Sequence, residues 1–583
     1  MIKKWIVQEF IEKNIPAYIT GLAALVASSV LSMIIPKMLG AITDRLSVKS
    51  ALAGDIWRMA LNMLLMSLAL FGLKFVFRIF IIGKARDLEC FLRAKLFEKL
   101  QILSPTFYNQ HKTGDLMSYV INDLGAVRMA FAIGIVFLVD GVLINVVSLG
   151  IMFQTINPYL TALAVLPIIF SVFVILALKG PIRVRFTVVQ ESFADLSDRI
   201  QENISGIRVI KSYAQEPFEI AKLESSSNRR ITAQLNYVKI SALLGPAVNA
   251  LFGLSFALTL AVGGEYVRAG VITLGDFIAF NTYLGLLVAP ITNFGRVVET
   301  WQKAFASMKR LDGIFTAPVE ILIDSGIPEG EKMRGAVEIK NLTYSYPGYE
   351  SEALRDINIS VPSGGTLAIA GRTGSGKSTL VNLLTRMYKI EDGHIFIDGI
   401  DINRLNLSDL RENIGYVPQD NFLFSTTIKV NIKFFKEAFS DTDVFSAAQT
   451  ASVYDAAMSF PEGFETVVGE RGVTLSGGQK QRVSMARAVI KEPAVLILDD
   501  SMSAVDAKTE KEILKSIKEV LRGRTGILIS HRISTISHAD EIVMLNKGRI
   551  IERGTHAQLL KLKGEYWKLS AAQGVLADSY SEK

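Results

Sequence analysis

Gly371-Arg372-Thr373-Gly374-Ser375-Gly376-Lys377-Ser378-Thr379 decides the fold of the second half of this 583-residue chain. The apolar run Leu367–Ala370 comes directly before it, and the helical pattern Leu380–Leu384 follows. A strand, a glycine-rich loop and a helix in this order form a P-loop, whose backbone N–H groups and helix N-terminus bind phosphate. We expect Lys377 to reach the outer phosphates of a nucleotide and Ser378 to ligate Mg²⁺.

An acidic element lies further along the chain. Val495-Leu496-Ile497-Leu498-Asp499 is an apolar run that ends in a carboxylate, which is typical of a buried parallel strand. On its own it would indicate only an ordinary strand with a solvated acid at its end. Together with a P-loop, it predicts that Asp499 holds the Mg²⁺ ion.

Leu475-Ser476-Gly477-Gly478-Gln479 lies between these two motifs. Ser476 and the N–H groups of Gly477 and Gly478 come at the start of a predicted helix, Gln481–Ile490, where they form a second small anion site. Here the chain resembles the ATP-binding cassette (ABC) transporters, whose signature motif these five residues match. The resemblance implies that Ser476, Gly477, Gly478 and Gln479 face the γ-phosphate of an ATP on the P-loop of a second subunit.

Other landmarks of the family follow the same order. The resemblance implies that Gln419 ligates Mg²⁺ and senses the membrane domain, that Tyr346 stacks on adenine, and that His531 contacts the γ-phosphate. Tyr344 is the alternative platform for adenine. The set is completed by a D-loop, Ser503-Ala504-Val505-Asp506, and by a segment special to exporters, Val468-Gly469-Glu470-Arg471-Gly472. The implied cofactors are ATP and Mg²⁺.

Composition points to a membrane protein. Half of the residues are hydrophobic and 20% are charged, which is below the usual share in soluble chains. The single cysteine excludes an intramolecular disulfide framework and a cysteine-based zinc cluster. The net charge of +7 is explained by basic loops on one side of a membrane, so we expect no nucleic-acid partner.

The apolar residues concentrate before about residue 300. A bilayer core needs about 20 helical residues, and several windows of that length carry no charge or very few. They predict six transmembrane helices, at approximately 17–38, 57–82, 129–156, 157–178, 241–264 and 275–295. Asp140 is the one acid within a predicted span: it either attracts cationic compounds into a cavity or forms a hydrogen bond with a neighbouring helix.

Basic residues set the orientation. Residues 83–128 and 179–240 are rich in lysine and arginine, whereas the alternate loops are short and hold few. The positive-inside rule therefore predicts that the two basic segments, both termini and the nucleotide-binding domain are cytoplasmic. We expect the helices to continue beyond the bilayer, and the corners at 104–115 and 212–218 to couple the two halves of the chain.

The predicted fold class is multi-domain. A transmembrane domain (1–315) of six helices with long cytoplasmic extensions precedes a linker (316–335), which is polar and rich in proline and glycine. An α/β P-loop nucleotide-binding domain (336–583) follows, because short β-rich runs alternate there with helical ones. The resemblance covers the whole chain and implies half of an exporter in the bacterial plasma membrane, with two ATP molecules between two subunits.

One residue departs from the family. Members that hydrolyse ATP efficiently carry a glutamate after the strand-end aspartate, whereas this chain has Asp500. An aspartate carboxylate lies about 1.5 Å closer to the backbone, and a misplacement of about 1 Å can cost roughly 10²-fold in rate. With its intact signature, the chain resembles the degenerate-site half of bacterial heterodimeric multidrug exporters, of the BmrC/BmrD kind.

The predicted function is therefore ATP-driven efflux of amphipathic drugs or lipid-like compounds by a dimer, with a second half-transporter as the favoured partner. Asp500, His531 and Gln419 are the candidate catalytic residues. Two alternatives stay open. The chain could form a homodimeric lipid flippase or exporter, or Asp500 could indicate a nucleotide-gated channel or regulator.

Overall fold

The computed structural model describes residues 4–47, 53–321, 333–469, 474–500 and 523–573, together with Gly472, Lys515 and Leu521. The D-loop residues 503–506, and Glu470 and Arg471 of the exporter segment, lie outside these ranges. The chain divides into two compact units. One comprises Met1–Leu100 and Gly114–Thr316, and the other comprises Gln101–Thr113 and Ala317–Lys583.

Six long apolar helices dominate the first unit. Each has the length and composition to cross a membrane: α1 (Gln8–Ser47), α2 (Gly54–Ile102), α4 (Thr113–Gln154), α5 (Pro158–Ser205), α7 (Glu216–Arg268) and α8 (Leu274–Thr316). Two short helices lie between them, α3 (Pro105–Gln110) and α6 (Ile207–Ser212). Helices of 40 to 53 residues are about 60–80 Å long, which is at least twice a bilayer core of about 30 Å.

Polar contacts connect these helices where apolar packing alone would leave their register open. At one end, Asp44 of α1 accepts hydrogen bonds from the Gly275 N–H (2.6 Å) and the Thr273 hydroxyl (2.7 Å), so it caps the start of α8. Within the spans, the Ser29 hydroxyl donates to the Asp140 carboxylate at 2.6 Å. Asp140 therefore makes the hydrogen bond to a neighbouring helix that one of its two predicted roles requires.

An ion pair between a buried carboxylate and a half-exposed guanidinium joins α4 to α8 outside the apolar windows. The Asp123 carboxylate is 5% exposed and accepts hydrogen bonds from the Arg310 guanidinium and, at 2.7 Å, from the Ser307 hydroxyl. Because a buried carboxylate is costly unless it is paired and hydrogen-bonded, these partners have to stay in place. The pair fixes the relative position of the two helices.

The second unit contains two sheets built from the described strands. A mixed, mostly parallel sheet has the order β10-β9-β3-β8-β7-β6, and an antiparallel sheet has the order β2-β1-β4-β5. The strands are β1 (Val337–Ser345), β2 (Glu352–Val361), β3 (Thr366–Gly371), β4 (Ile395–Ile397), β5 (Ile400–Asp401), β6 (Ile414–Val417), β7 (Val495–Asp499), β8 (Thr525–Ile529), β9 (Glu541–Asn546) and β10 (Arg549–Gly554).

Helices pack around these sheets in the described part of the unit. They are α9 (Lys377–Leu384), α10 (Leu407–Glu412), α11 (Ile428–Lys433), α12 (Asp441–Thr450), α13 (Tyr454–Met458), α14 (Gly477–Val489), α15 (Ile533–Ile536), α16 (His556–Leu562) and α17 (Glu565–Ala572). The central strands β7 and β8 are buried along their full length. This all-buried pattern is what a parallel strand covered on both faces requires, and the predicted α/β fold class, preceded by six apolar helices, is confirmed.

The short helix α3 belongs to the second unit although it follows α2 in the chain. Pro105 ends the preceding helical run, as its fixed φ and missing N–H predict, and begins α3. The Ser104 hydroxyl donates to Glu320 at 2.6 Å, and the Asn109 amide donates to the Tyr388 hydroxyl at 3.0 Å. The corner at residues 104–110 is therefore anchored at two points of the second unit.

Candidate functional site

Sheet topology brings four loops to one edge. Strands β3, β8, β7 and β6 run parallel, so their carboxyl ends lie on the same side. The P-loop follows β3, His531 follows β8, and Gln419 follows β6. Asp499 ends β7 and lies opposite Ile529 in the ladder. The candidate residues converge because the carboxyl edge of a parallel sheet collects the loops that follow its strands.

The P-loop has the backbone of a phosphate cradle. Gly371 has φ 153° and Gly376 has φ 104°, both in the region that favours glycine. A Cβ on Gly376 would lie 2.8 Å from the Ala353 carbonyl oxygen, and one on Gly371 would collide with the Leu545 carbonyl. The loop therefore depends on these two glycines to pass close to β2 and β9.

Two polar side chains of the loop, Lys377 and Ser375, are buried, and they differ in how far their hydrogen bonds are satisfied. Lys377 is 7% exposed, and its Nζ donates to the carbonyl oxygens of Gly371 (2.9 Å) and Arg372 (3.0 Å). The Ser375 hydroxyl is buried and lacks a hydrogen-bond partner among the described residues. An unpartnered buried hydroxyl beside an ammonium group fits a loop built for a phosphate.

Burial perturbs the charges of this cluster. Burial lowers the pKa of Lys377, against the opposing effect of Asp499 and Asp500. Burial likewise raises the pKa of Asp499, although a hydrogen bond with Ser378 acts in the other direction. A desolvated carboxylate next to a serine hydroxyl is the kind of oxygen pair that a hard divalent cation binds.

His531 belongs to the same cluster. Burial lowers its pKa from the ordinary value of 6.5, and the nearby Lys377 lowers it further, while Asp500 and Asp499 raise it. The imidazole is therefore favoured in its neutral form, which can donate one hydrogen bond and accept another. The charges of Lys377, Asp499, Asp500 and His531 therefore act on one another across a short distance.

The backbone of Asp500 is fixed by two hydrogen bonds. Its N–H donates to the Ile529 carbonyl at 2.8 Å, and its carbonyl accepts from the Gln481 amide at 3.2 Å. Its φ is 43°, a left-handed conformation that aspartate tolerates better than most residues. The backbone is fixed at both hydrogen-bonding groups, so only the side chain is free to adjust toward a substrate.

Burial distinguishes the two tyrosines that are candidates for the adenine platform. Tyr344 is 8% exposed and packs within the core of the antiparallel sheet. Tyr346 is half-buried, and its hydroxyl donates to Thr379 of α9 at 3.0 Å. Because a base needs an accessible ring, the burial of Tyr344 favours Tyr346 as the residue beside the P-loop that stacks on adenine.

The signature serine is separate from this cluster. The helix that follows it begins at Gly477 rather than at Gln481, because Ser476 caps it: the hydroxyl accepts from the Gln479 N–H at 3.3 Å, and the Gln479 side chain accepts from the Ser476 N–H at 2.9 Å. Ser476 is exposed, and its described contacts stay within its own helix turn. It faces the solvent rather than the P-loop cluster.

Gln419 is also exposed. Its side chain has no described contact with Ser378 or Asp499, and its carbonyl accepts from the Asn421 amide at 3.5 Å. The structure places it at the correct edge of the sheet, beside β7, but does not bring it into the cluster. Its predicted role as a Mg²⁺ ligand stays a prediction.

Comparison with known proteins identifies the family. The family model described as "ABC transporter transmembrane region" matches residues 15–291, and the model "ABC transporter" matches residues 354–503. A probable multidrug resistance ABC transporter ATP-binding/permease protein, YheI of Bacillus subtilis, is 36% identical over 94% of both chains. The chain belongs to the ABC transporters.

A further curated protein and a solved structure are similar to most of this chain. An ATP-dependent lipid A-core flippase of Syntrophus aciditrophicus is 34% identical over 83% of this chain and 80% of its own length. A solved structure of a bacterial Atm1-family ABC exporter with ATP bound has a TM-score of 0.78 and 26% identity, covering 97% of this chain and 98% of that one. This chain is thus a multi-pass membrane exporter with six spans and an ATPase domain.

Two contacts that the sequence analysis did not predict connect loops of the cluster to residues of other elements. Gln481, on the signature helix, contacts the backbone of Asp500. Gln573, directly after α17, contacts the loop that contains His531. The motif containing Gln481 gave a partial signal for the first contact, but no local pattern marks Gln573, which is 42 residues from its partner.

Proposed function

We propose that this chain is one half of a dimeric exporter that uses ATP to move amphipathic drugs or lipid-like compounds out of a bacterial cell. One observation supports the dimer more than any other. Lys377, Ser378, Asp499 and His531 form a connected cluster, whereas the signature Ser476 is exposed and has no described contact with any of them. An ATP contacted by both surfaces requires a second chain.

Each residue then has a role in its own or its partner's site. Lys377 and the P-loop N–H groups bind the phosphates, and Tyr346 stacks on the adenine. Ser378 and Asp499, with Gln419, would hold a Mg²⁺ ion, which would neutralise charge on the outer phosphates. His531 contacts the γ-phosphate. Ser476 and its neighbours complete the site of the partner.

Hydrolysis at this chain's own site is slow in the proposed mechanism. The Asp500 carboxylate is one methylene shorter than the family's glutamate, so it is about 1.5 Å from the position that polarises water. Hydrogen bonds at its N–H and carbonyl keep the backbone from moving to compensate. This favours a heterodimer whose second chain supplies a glutamate at this position, and turnover then takes place mainly at the partner's ATP.

Two corners transmit closure of the ATP sites to the helices. The first corner, at residues 104–110, is anchored to Glu320 and Tyr388 of the ATPase unit. The second, at the turn from α6 into the first residues of α7, exposes Tyr213 (73%) and Phe218 (59%). Exposed aromatic residues at a chain reversal are suited to pack against a partner subunit. The basic residues of the two long loops support a cytoplasmic location for both corners, both termini and the ATPase domain.

A homodimeric lipid flippase is the second candidate. The relative described as an ATP-dependent lipid A-core flippase, at 34% identity over 83% of this chain, favours it. The two candidates differ in partner and in cargo. Purification from native membranes separates them: a heterodimer retains a second, untagged ABC chain that carries glutamate where this chain has Asp500, and a homodimer retains none.

Transport is tested in inverted membrane vesicles. We expect ATP-dependent accumulation of a fluorescent amphipathic dye above its external concentration, and no accumulation with Lys377→Ala. Lys561→Ala, which removes an exposed lysine on α16, is the matched control and should transport normally. Equilibration of the dye without concentration would instead indicate a nucleotide-gated channel.

A further inference from the structure

The loop that contains His531 is bonded to the C-terminal helix. The Gln573 side-chain amide spans this loop: its Nε2 donates to the His531 carbonyl at 2.5 Å, and its Oε1 accepts from the Ile533 N–H at 2.9 Å. The backbone on both sides of Arg532 is thus held by one side chain. Ile533 is fully buried, so its N–H has no access to water as an alternative partner.

Gln573 is itself fixed by the helix that precedes it. Tyr566 of α17 is fully buried, and its hydroxyl lies 2.6 Å from Nδ1 of His556 on α16. The Glu552 carboxylate of β10 accepts hydrogen bonds from the N–H groups of Glu565 (2.5 Å) and Tyr566 (3.0 Å). Because these anchors are independent of the His531 loop, α17 provides Gln573 with a rigid base.

The same helix also reaches the P-loop. Glu565, at the start of α17, lies 3.4 Å from the Arg372 guanidinium. Arg372 is 85% exposed in its side chain, so this pair contributes little energy in water. It nevertheless shows that the two ends of α17 lie beside two different loops of the ATP site.

We propose that Gln573 is a positioning residue, which holds His531 in the position from which its side chain contacts the γ-phosphate. This rests on the proposed assignment of His531 to the γ-phosphate. The Gln573 amide does not touch the nucleotide. It acts through the His531 carbonyl, and it connects the C-terminal helix to the part of the site that distinguishes ATP from ADP.

The two hydrogen bonds of Gln573 have different roles. Acceptance from the Ile533 N–H satisfies a buried donor and is structural. Donation to the His531 carbonyl sets the position of the histidine. Gln573→Glu keeps an acceptor for Ile533 but loses the donor, and Gln573→Met loses both with little change of volume.

The readout is the preference for ATP over ADP at this chain's own site, which does not depend on how fast that site hydrolyses. The full-length protein is photolabelled with an azido-ATP, the label on this chain is resolved by gel electrophoresis, and AMP-PNP or ADP competes. We expect both variants to bind AMP-PNP about 3- to 10-fold more weakly, the effect of one lost hydrogen bond. Affinity for ADP should be unchanged, because ADP has no γ-phosphate.

Stability provides the second measurement. Gln573→Met should lower the thermal unfolding midpoint, since the Ile533 N–H is left unsatisfied, whereas Gln573→Glu should restore it without restoring the preference for AMP-PNP. Gln558→Ala is the control: it removes the capping partner of Thr555 on α16 and should lower the midpoint with no effect on nucleotide preference.

Two results would overturn the proposal, and they differ. If His531→Ala selectively weakens AMP-PNP binding but Gln573→Glu binds like the wild type, Gln573 is only structural and the ATP site stands as proposed. If His531→Ala itself leaves the preference unchanged, the assignment of His531 fails together with the positioning role.

Discussion

The P-loop cluster and the signature turn both lie at helix starts, yet they differ in burial and in hydrogen bonding. Lys377 is buried, its ammonium group is bonded to two loop carbonyls, and its pKa is lowered by burial. Ser476 is exposed, and its hydroxyl does no more than cap its own helix. The first region has its polar groups assembled within the chain, whereas the described contacts of Ser476 stay within its own helix turn.

In the proposed dimer, this difference means that each chain supplies a different part of each ATP site. Within the described residues, the cluster brings together groups suited to one side of a nucleotide, and the signature serine is exposed. A substitution in the first should affect this chain's own nucleotide. A substitution in the second should affect the nucleotide held by the partner, so each variant reports on a different ATP.

Ser476→Arg should have the largest effect. It places a bulky cation where the partner's ATP meets a compact hydroxyl and free N–H groups, so steady-state ATPase activity of the purified complex should fall by at least about 100-fold. Nucleotide labelling of this chain's own P-loop should persist.

The control for that variant is Ser440→Arg. Ser440 is likewise exposed and caps α12 through a capping box with Asp443, so the substitution removes the same kind of cap in the same domain. Its ATPase activity should stay close to that of the wild type. Equal losses from the two variants would mean that Ser476 acts only as a cap.

Lys377→Ala should have the next largest effect. The substitution removes the ammonium group that is nearest to the loop carbonyls, and charge-assisted hydrogen bonds to phosphate are worth about 1.5–3 kcal/mol each. We expect nucleotide affinity at this chain's site to fall by about 10- to 100-fold, measured by photolabelling of this chain. Lys561→Ala should label normally, and unchanged labelling of Lys377→Ala would show that the P-loop lysine does not face the phosphates.

The local elements of the ATPase domain were predictable from the sequence. The run before Gly371 and the run that ends in Asp499 are strands, as predicted. A short, continuous apolar run is typical of a parallel strand that is buried on both faces. The signature helix begins four residues earlier than predicted, because its glycines obscured a start that the Ser476 capping box determines.

The contacts between distant elements were not predictable in the same way. The Gln573 amide bonds to a carbonyl 42 residues away, and Ser104 bonds to a carboxylate 216 residues away. Periodicity predicts that a helix forms and which face is apolar, but it carries no information about which loop that helix will meet. The choice between Tyr344 and Tyr346 likewise needed burial. Residues two apart in an extended segment lie on the same face, so the sequence pattern does not distinguish the two tyrosines.

Tyr346→Ala should have a moderate effect and sharpens the assignment of the platform. Loss of base stacking should weaken nucleotide binding by roughly 1–3 kcal/mol, or about 5- to 150-fold, measured by competition of ATP against azido-ATP on this chain. Tyr346→Phe keeps the ring and loses only the bond to Thr379, so its affinity should stay near that of the wild type. Tyr349→Ala, an exposed tyrosine three residues further on, is the control.

Asp500→Asn should have the smallest effect, and it tests the asymmetry of the two ATP sites most directly. If the short carboxylate already polarises water poorly, neutralising it changes the steady-state ATPase rate of the purified complex by less than about twofold. The backbone contacts of residue 500 with Ile529 and Gln481 do not involve the side chain, so the asparagine variant should fold as the wild type does. Neutralising the partner's glutamate should abolish turnover. A loss of 10-fold or more with Asp500→Asn would instead make Asp500 a competent base, remove the reason for a heterodimer, and favour two equivalent sites in a homodimer.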